Sequence, residues 1–264
     1  MNIDQNKCRN KERDRTMPSH LSAVGFLVKS REDFSSLAIH VAKSGQMVKA
    51  PGHGSYRAWS PGEGIELWAQ VTQQGQVIGL NPHFNGKAVM PVGLSKRILR
   101  PDDTELDGAF YGWAGAPEDD IEMGSYPFAF DVPNYRMNDA LQLPQRANVQ
   151  LAAFAHEIKC YENEEAFRAT GNMMAVESCI PCGTFHPGEE EGVIDPPKSE
   201  VIYYGHVLET ALLTNPFTLL PFYWARVTTL GGEIDLVADP ETVKGTIIKN
   251  GVIGGLFWLS GRLK

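Results

Sequence analysis

The residues whose types and spacing suit chemistry lie in two alternating runs, Ile65-Glu-Leu-Trp-Ala-Gln-Val71 and Val77-Ile-Gly-Leu-Asn-Pro-His-Phe84. Successive side chains of a strand point to opposite faces. Ile65, Leu67, Ala69 and Val71 therefore share an apolar face with Ile78, Leu80 and Phe84. Glu66, Trp68 and Gln70 are left on the other face with Asn81 and His83. Arg57 and Trp59 share one parity on the preceding run and complete the candidate set. A carboxylate, two carboxamides, an imidazole and two indoles on one concave sheet face suit a small polar ligand, because apolar area gives binding while a few polar groups fix orientation. If residues 88–148 instead fold over that face, Trp68 becomes core and His83 a buried, hydrogen-bonded histidine.

Other chemistry-bearing residues give weaker patterns. Cys179-Ile-Pro-Cys182, with Cys160 and His186, has the composition of a Cys₃His zinc site. A second C-x-x-C pair is lacking, however, and a redox dithiol needs its first cysteine at a helix N-terminus, whereas Gly183-Thr-Phe-His-Pro-Gly188 reads as loop. The expectation is reduced cysteines, no metal and no cofactor. His156-Glu157-Ile-Lys-Cys160 is not H-E-x-x-H, and no Walker A, G-x-G-x-x-G or G-x-S-x-G pattern occurs, so no catalytic nucleophile is assigned.

The elements that must position these residues follow from periodicity. Val24–Val28 is a short apolar run of strand type. Ser30 then precedes Arg31-Glu-Asp33, and Phe34, Leu37, Ala38, Val41 and Ala42 recur at helical spacing up to Gly45. Strands are expected at 55–59, 65–71 and 77–84, giving the order β-α-β-β-β. That order resembles one module of the vicinal-oxygen-chelate superfamily of glyoxalase and bleomycin-resistance proteins. A second copy is echoed by a strand at 149–160, a short helix at 162–169 and a strand at 174–180. The resemblance implies a cleft, with Glu66 and His83 as its acid and imidazole. Metal-dependent members of that family take a ligand from the first strand of a module, and Val24–Val28 offers none.

Further strands are expected at 93–99, 109–114 and 126–131, within a Pro-, Gly- and Asp-rich stretch. After residue 200 the pattern is all strand, with a long first strand carrying Gly205, and it resembles an OB-type barrel. The expected fold is therefore α+β and β-rich: a tail (1–20), a β-rich domain (21–182, with modules at 21–87 and from 149), a linker (183–199) and a small C-terminal β-barrel (200–264).

Composition bounds the function. The chain has 264 residues, 42% hydrophobic and 21% charged, as in an ordinary globular protein. Its 24 basic and 32 acidic residues give a net charge of −8, which disfavours a phosphate-backbone binder. The acids and bases of 200–264 nearly balance, so aromatics such as Trp224 and Trp258 lack the basic groove of a single-strand platform. No 18-residue apolar stretch suggests a membrane span, and sparse cysteines and a polar, signal-free start point to the cytoplasm. The expected activity is binding of a small molecule or protein partner. The alternatives are a vicinal-oxygen-chelate-type enzyme and an interaction protein with an acidic surface.

Overall fold

A computed structural model describes residues 20–183 and 196–264. Most of the 1–20 tail, much of the 183–199 linker, Cys8 and His186 lie outside the described residues. The architecture is β-rich α+β. Among the described residues, no helix is long and apolar enough to cross a membrane.

Helix α1 (Arg31–Ser44) begins where the sequence places its cap. Ser30 Oγ accepts from the Asp33 amide while Asp33 Oδ2 accepts from the Ser30 amide, both at 3.0 Å. This reciprocal box satisfies amides that the first turn leaves without partners. The Lys29 amide also donates to Asp33, and these bonds hold its carboxyl below the usual carboxylate range. At Gly45 the backbone leaves the helix for an extended conformation with its amide still bonded to the Val41 carbonyl, an approach that would put an added Cβ 2.8 Å from that oxygen.

Four antiparallel strands follow as a meander: β1 (Gln46–Ala50), β2 (Gly54–Gly62), β3 (Ile65–Val71) and β4 (Val77–Phe84). Ala38 and Val41 of α1 pack with Ile65, Leu67, Ala69, Leu80 and Phe84 in one buried cluster. The parity assigned to β3 therefore holds, although Ile78, near the start of edge strand β4, is exposed. The expected strand at Val24–Val28 does not form. Ser22–Val24 is a 3₁₀ turn, Gly25 is left-handed at φ 77°, and the Phe26 amide donates to the Leu21 carbonyl. Side chains from a distant loop take the place of a strand partner: Asn215 Nδ2 donates to Val24 O at 2.8 Å and Thr218 Oγ1 to Gly25 O at 2.6 Å.

The second sheet comprises β5 (Met90–Ile98), β6 (Ala109–Ala114), β7 (Pro127–Asp131), β8 (Gln145–Tyr161), β9 (Ser178–Pro181), β10 (Glu200–Thr214), β11 (Pro221–Thr229), β12 (Gly232–Ala238), β13 (Val243–Lys244) and β14 (Val252–Leu263). A short helix, α2 (Glu164–Ala169), lies between β8 and β9. The spine of this sheet is the antiparallel pair β8–β14, running from Val252↔Tyr161 to Leu263↔Val149. Two circuits of hydrogen-bonded strands share that spine, one through β5, β6 and β7 and one through β10, β11 and β12. Their interior is a single apolar cluster including Phe110, Phe128, Leu151, Val227 and Phe257. The strands of 200–264 thus share this sheet with β8, from within 21–182, and β9 pairs with β10 rather than with β8.

Candidate functional site

The β3–β4 register brings most of the sequence-selected polar residues together. Glu66 lies opposite His83 and Trp68 opposite Asn81, while Gln70 lies opposite Gly79. A Cβ at Gly79 would approach Gln70 Oε1 to 2.3 Å, so only glycine leaves room for that amide. Arg57 and Trp59 are not on this face. They lie opposite Ala69 and Leu67, on the helix side, where Trp59 meets His40 and Phe217 edge-on at about 5 Å between ring centroids.

The polar face is covered. Trp68 is 4% exposed and packs with Tyr56 and Leu106. Its Nε1 donates to Glu66 Oε2 at 3.0 Å, and Arg262 of β14 contacts both Glu66 oxygens at 2.8 Å, with its guanidinium 5.0 Å above the indole. Buried Gln70 donates to Asp107 and accepts from Thr104 Oγ1 at 2.7 Å. His83, fully buried, lies 2.6 Å from Gln150 Oε1 through Nε2 and 2.9 Å from Ser260 Oγ through Nδ1. Gln150 Oε1 can only accept, which fixes the neutral Nε2–H tautomer. Burial pushes the imidazole pKa from 6.5 down to about 3. The network continues to fully buried Asp235, which accepts from Ala88 N at 2.7 Å and Trp224 Nε1 at 2.8 Å. Desolvation raises its pKa.

Asn81 marks the edge of this packed face, where a polar cavity of about 200 Å³ opens between the two sheets. Its Nδ2 donates to Asp107 Oδ1 at 2.8 Å, and Asp107 Oδ2 accepts from the Thr104 amide. Arg100 enters from the loop after β5 and donates to Asp131 Oδ1 at 2.6 Å, to Ser199 Oγ at 2.9 Å and to Pro197 O. Ser199 also donates to Asp131 Oδ1, and Trp258 Nε1 takes Oδ2. Asp103 differs from these carboxylates. Its Oδ2 accepts from the Arg100 amide, while no hydrogen bond from the described residues reaches Oδ1. Burial chiefly raises its pKa, and the charges of Asp107 and Asp131 act in the same direction.

His20 also lines the cavity. Its ring stacks on Trp258 at 4.1 Å and meets His156 at 5.2 Å. Desolvation, reinforced by His156, lowers its pKa from 6.5 to about 3, so the ring is neutral near pH 7. Among the described residues, no hydrogen bond engages its nitrogens. The site thus presents a neutral imidazole and an open carboxyl oxygen.

His20, Arg100, Asp103, Asp107, Asp131 and Trp258 were outside the sequence-selected set. All but Trp258 come from turns, loops or strand ends, where alternation gives no direction. Trp258 sits on a strand, but its pairing partners lie more than 50 residues away. Cys160 and Cys179 lie on β8 and β9, and burial raises both thiols, Cys160 to about 11, which makes them poor nucleophiles at neutral pH. No group of three or more metal-ligating side chains converges among the described residues. No family model, curated protein or solved structure matches this chain.

Proposed function

We propose that this protein binds a small hydrogen-bond-donating molecule, an amine or a polyol, in the cavity between its two sheets. The observation that carries this reading is the open Oδ1 of Asp103 in the same cavity as the ring nitrogens of His20, which no hydrogen bond from the described residues engages. Both offer acceptors, and Asp107 adds further acceptor capacity beyond the three hydrogen bonds it receives. The principal donor, Arg100, is committed to Asp131 and to the 197–199 segment. A ligand complementary to such a wall brings donors, and an ammonium group also compensates the acidic charge.

The surrounding residues hold this wall in place. Gln70 and Asn81 fix Asp107, and Ser199 and Trp258 fix Asp131, so the acceptors are oriented before a ligand arrives. No serine, threonine or cysteine lines the cavity among the described residues. The chemistry read from these residues is recognition by hydrogen bonding and charge.

Thermal unfolding in the presence of ethanolamine, 1,4-diaminobutane, glycerol or acetate tests the reading. A ligand that binds only the folded chain raises Tm with concentration. The amines should do so and acetate should not, and Asp103→Asn should weaken the amine response. A rise with glycerol, which exclusion from the surface gives for folded proteins generally, counts only where it saturates and is lost in Asp103→Asn. Stabilisation by acetate alone would overturn the reading.

A further inference from the structure

A second concavity, of about 610 Å³, lies on the strands β8, β14 and β10 and shares no lining residue with the cavity described above. Strand register explains its shape. Lys159, Gly254 and Tyr204 form one row across the three strands, and Glu157, Leu256 and Ile202 form the next on the same face. The central glycine leaves the middle of the first row without a side chain. The Cδ1–Cε1 edge of the Tyr204 ring occupies that position instead, since an added Cβ would sit 2.2 Å from Cδ1, and Phe167 packs on the ring at 5.4 Å. The turn after α2, at Thr170 to Asn172, forms the rim.

The polar groups here have the opposite bias from the first cavity. No hydrogen bond from the described residues engages Lys159 Nζ, the Tyr161 and Tyr204 hydroxyls or Asn172 Nδ2. Glu157, the acid in the groove, is held by Lys244 at 2.8 Å. Ile202 and Leu256 supply an apolar floor beside these donors. The volume falls within the roughly 300–1,000 Å³ typical of organic-ligand sites.

We infer that this groove binds a small organic carboxylate, with its apolar body on Ile202 and Leu256 and its anionic end at Lys159. A carboxylate is the complement of an ammonium flanked by neutral donors, and Ile202 and Leu256, paired on the adjacent row, seat the apolar body beside it.

Isothermal titration of the full chain with 1-naphthoate and decanoate, against 1-naphthylmethylamine as the cation of matched body, tests the inference. At least one of the two anions should bind saturably at one site per chain, and the amine should not compete for it. Lys159→Gln should weaken binding about tenfold, the equivalent of one charge-assisted hydrogen bond. Lys43→Gln removes a charge from the distant helix α1 and should leave affinity unchanged. Lys159 is exposed, so its variant should keep the wild-type Tm. The inference is overturned if neither anion saturates, if the amine competes, or if Lys159→Gln behaves like Lys43→Gln.

Discussion

Replacing His83 with glutamine should flatten the acid side of the stability profile. His83 is fully buried and its pKa is depressed from 6.5 to about 3. Above pH 6.5 the ring is neutral in both folded and unfolded chains and contributes no pH dependence. As the pH falls, the unfolded chain takes up a proton that the folded chain refuses, so stability is lost between about 6.5 and 3. Each unit in that window is worth about 1.36 kcal/mol, so the two units from 6.5 down to about pH 4.5 cost roughly 2.7 kcal/mol. The carboxylates common to both chains cancel in the comparison. His20 has a similarly depressed pKa and stays in both. Urea unfolding of wild type and His83→Gln, followed by tryptophan fluorescence at several pH values, reads the difference directly. The destabilisation caused by His83→Gln at about pH 7.5 should shrink by roughly 2.7 kcal/mol at about pH 4.5. Parallel curves for the two chains would refute the linkage argument.

Two further substitutions probe the covered face and the buried network beside it. Trp68→Ala removes a 4%-exposed indole from between Tyr56, Leu106 and Arg262, and should cost about 3–5 kcal/mol in chemical denaturation, as large aromatic truncations do. A near-normal melt would mean the ring is not packed as described. Gly86→Ala would put a methyl 2.1 Å from the Asp235 carboxyl carbon, so a loss of about 1–3 kcal/mol is expected from overpacking, read as a lower urea midpoint.

Local chemistry in the sequence is sufficient for α1 and for the parity of β3, and for β4 from Leu80 onward; before that a register shift between Gln70 and Val71 puts Val77, not Ile78, against the core. The Ser30–Asp33 box and the helical spacing of Phe34 to Ala42 need only nearby residues, as does the alternation from Ile65 to Val71. The segment Val24–Val28 has the composition of a strand, but its backbone is held by Asn215 and Thr218, about 190 residues away. Arg57 and Trp59 share a parity along β2, as their spacing implies. Only the inter-strand register shows that this parity faces α1. The covering of Trp68 and Gln70 depends on where the second sheet, with its β8–β14 spine, places Thr104, Leu106, Asp107 and Arg262, none of them near in sequence. His20 ends a polar tail, and nothing in the neighbouring sequence points to its stacking on Trp258.

The account rests on Asp103 as the open acceptor of the cavity between the sheets. Calorimetric titration of 1,4-diaminobutane into wild type and Asp103→Asn, across pH, tests that claim most directly. Because burial raises the Asp103 pKa, the carboxyl is protonated at the acid end and ionises as pH rises. Amine affinity for wild type should therefore increase as pH rises through that range. The Asp103→Asn variant, which has no carboxyl to ionise at that position, should lose both this pH dependence and about tenfold of the affinity. Equal affinities and equal pH profiles for the two chains would contradict the account.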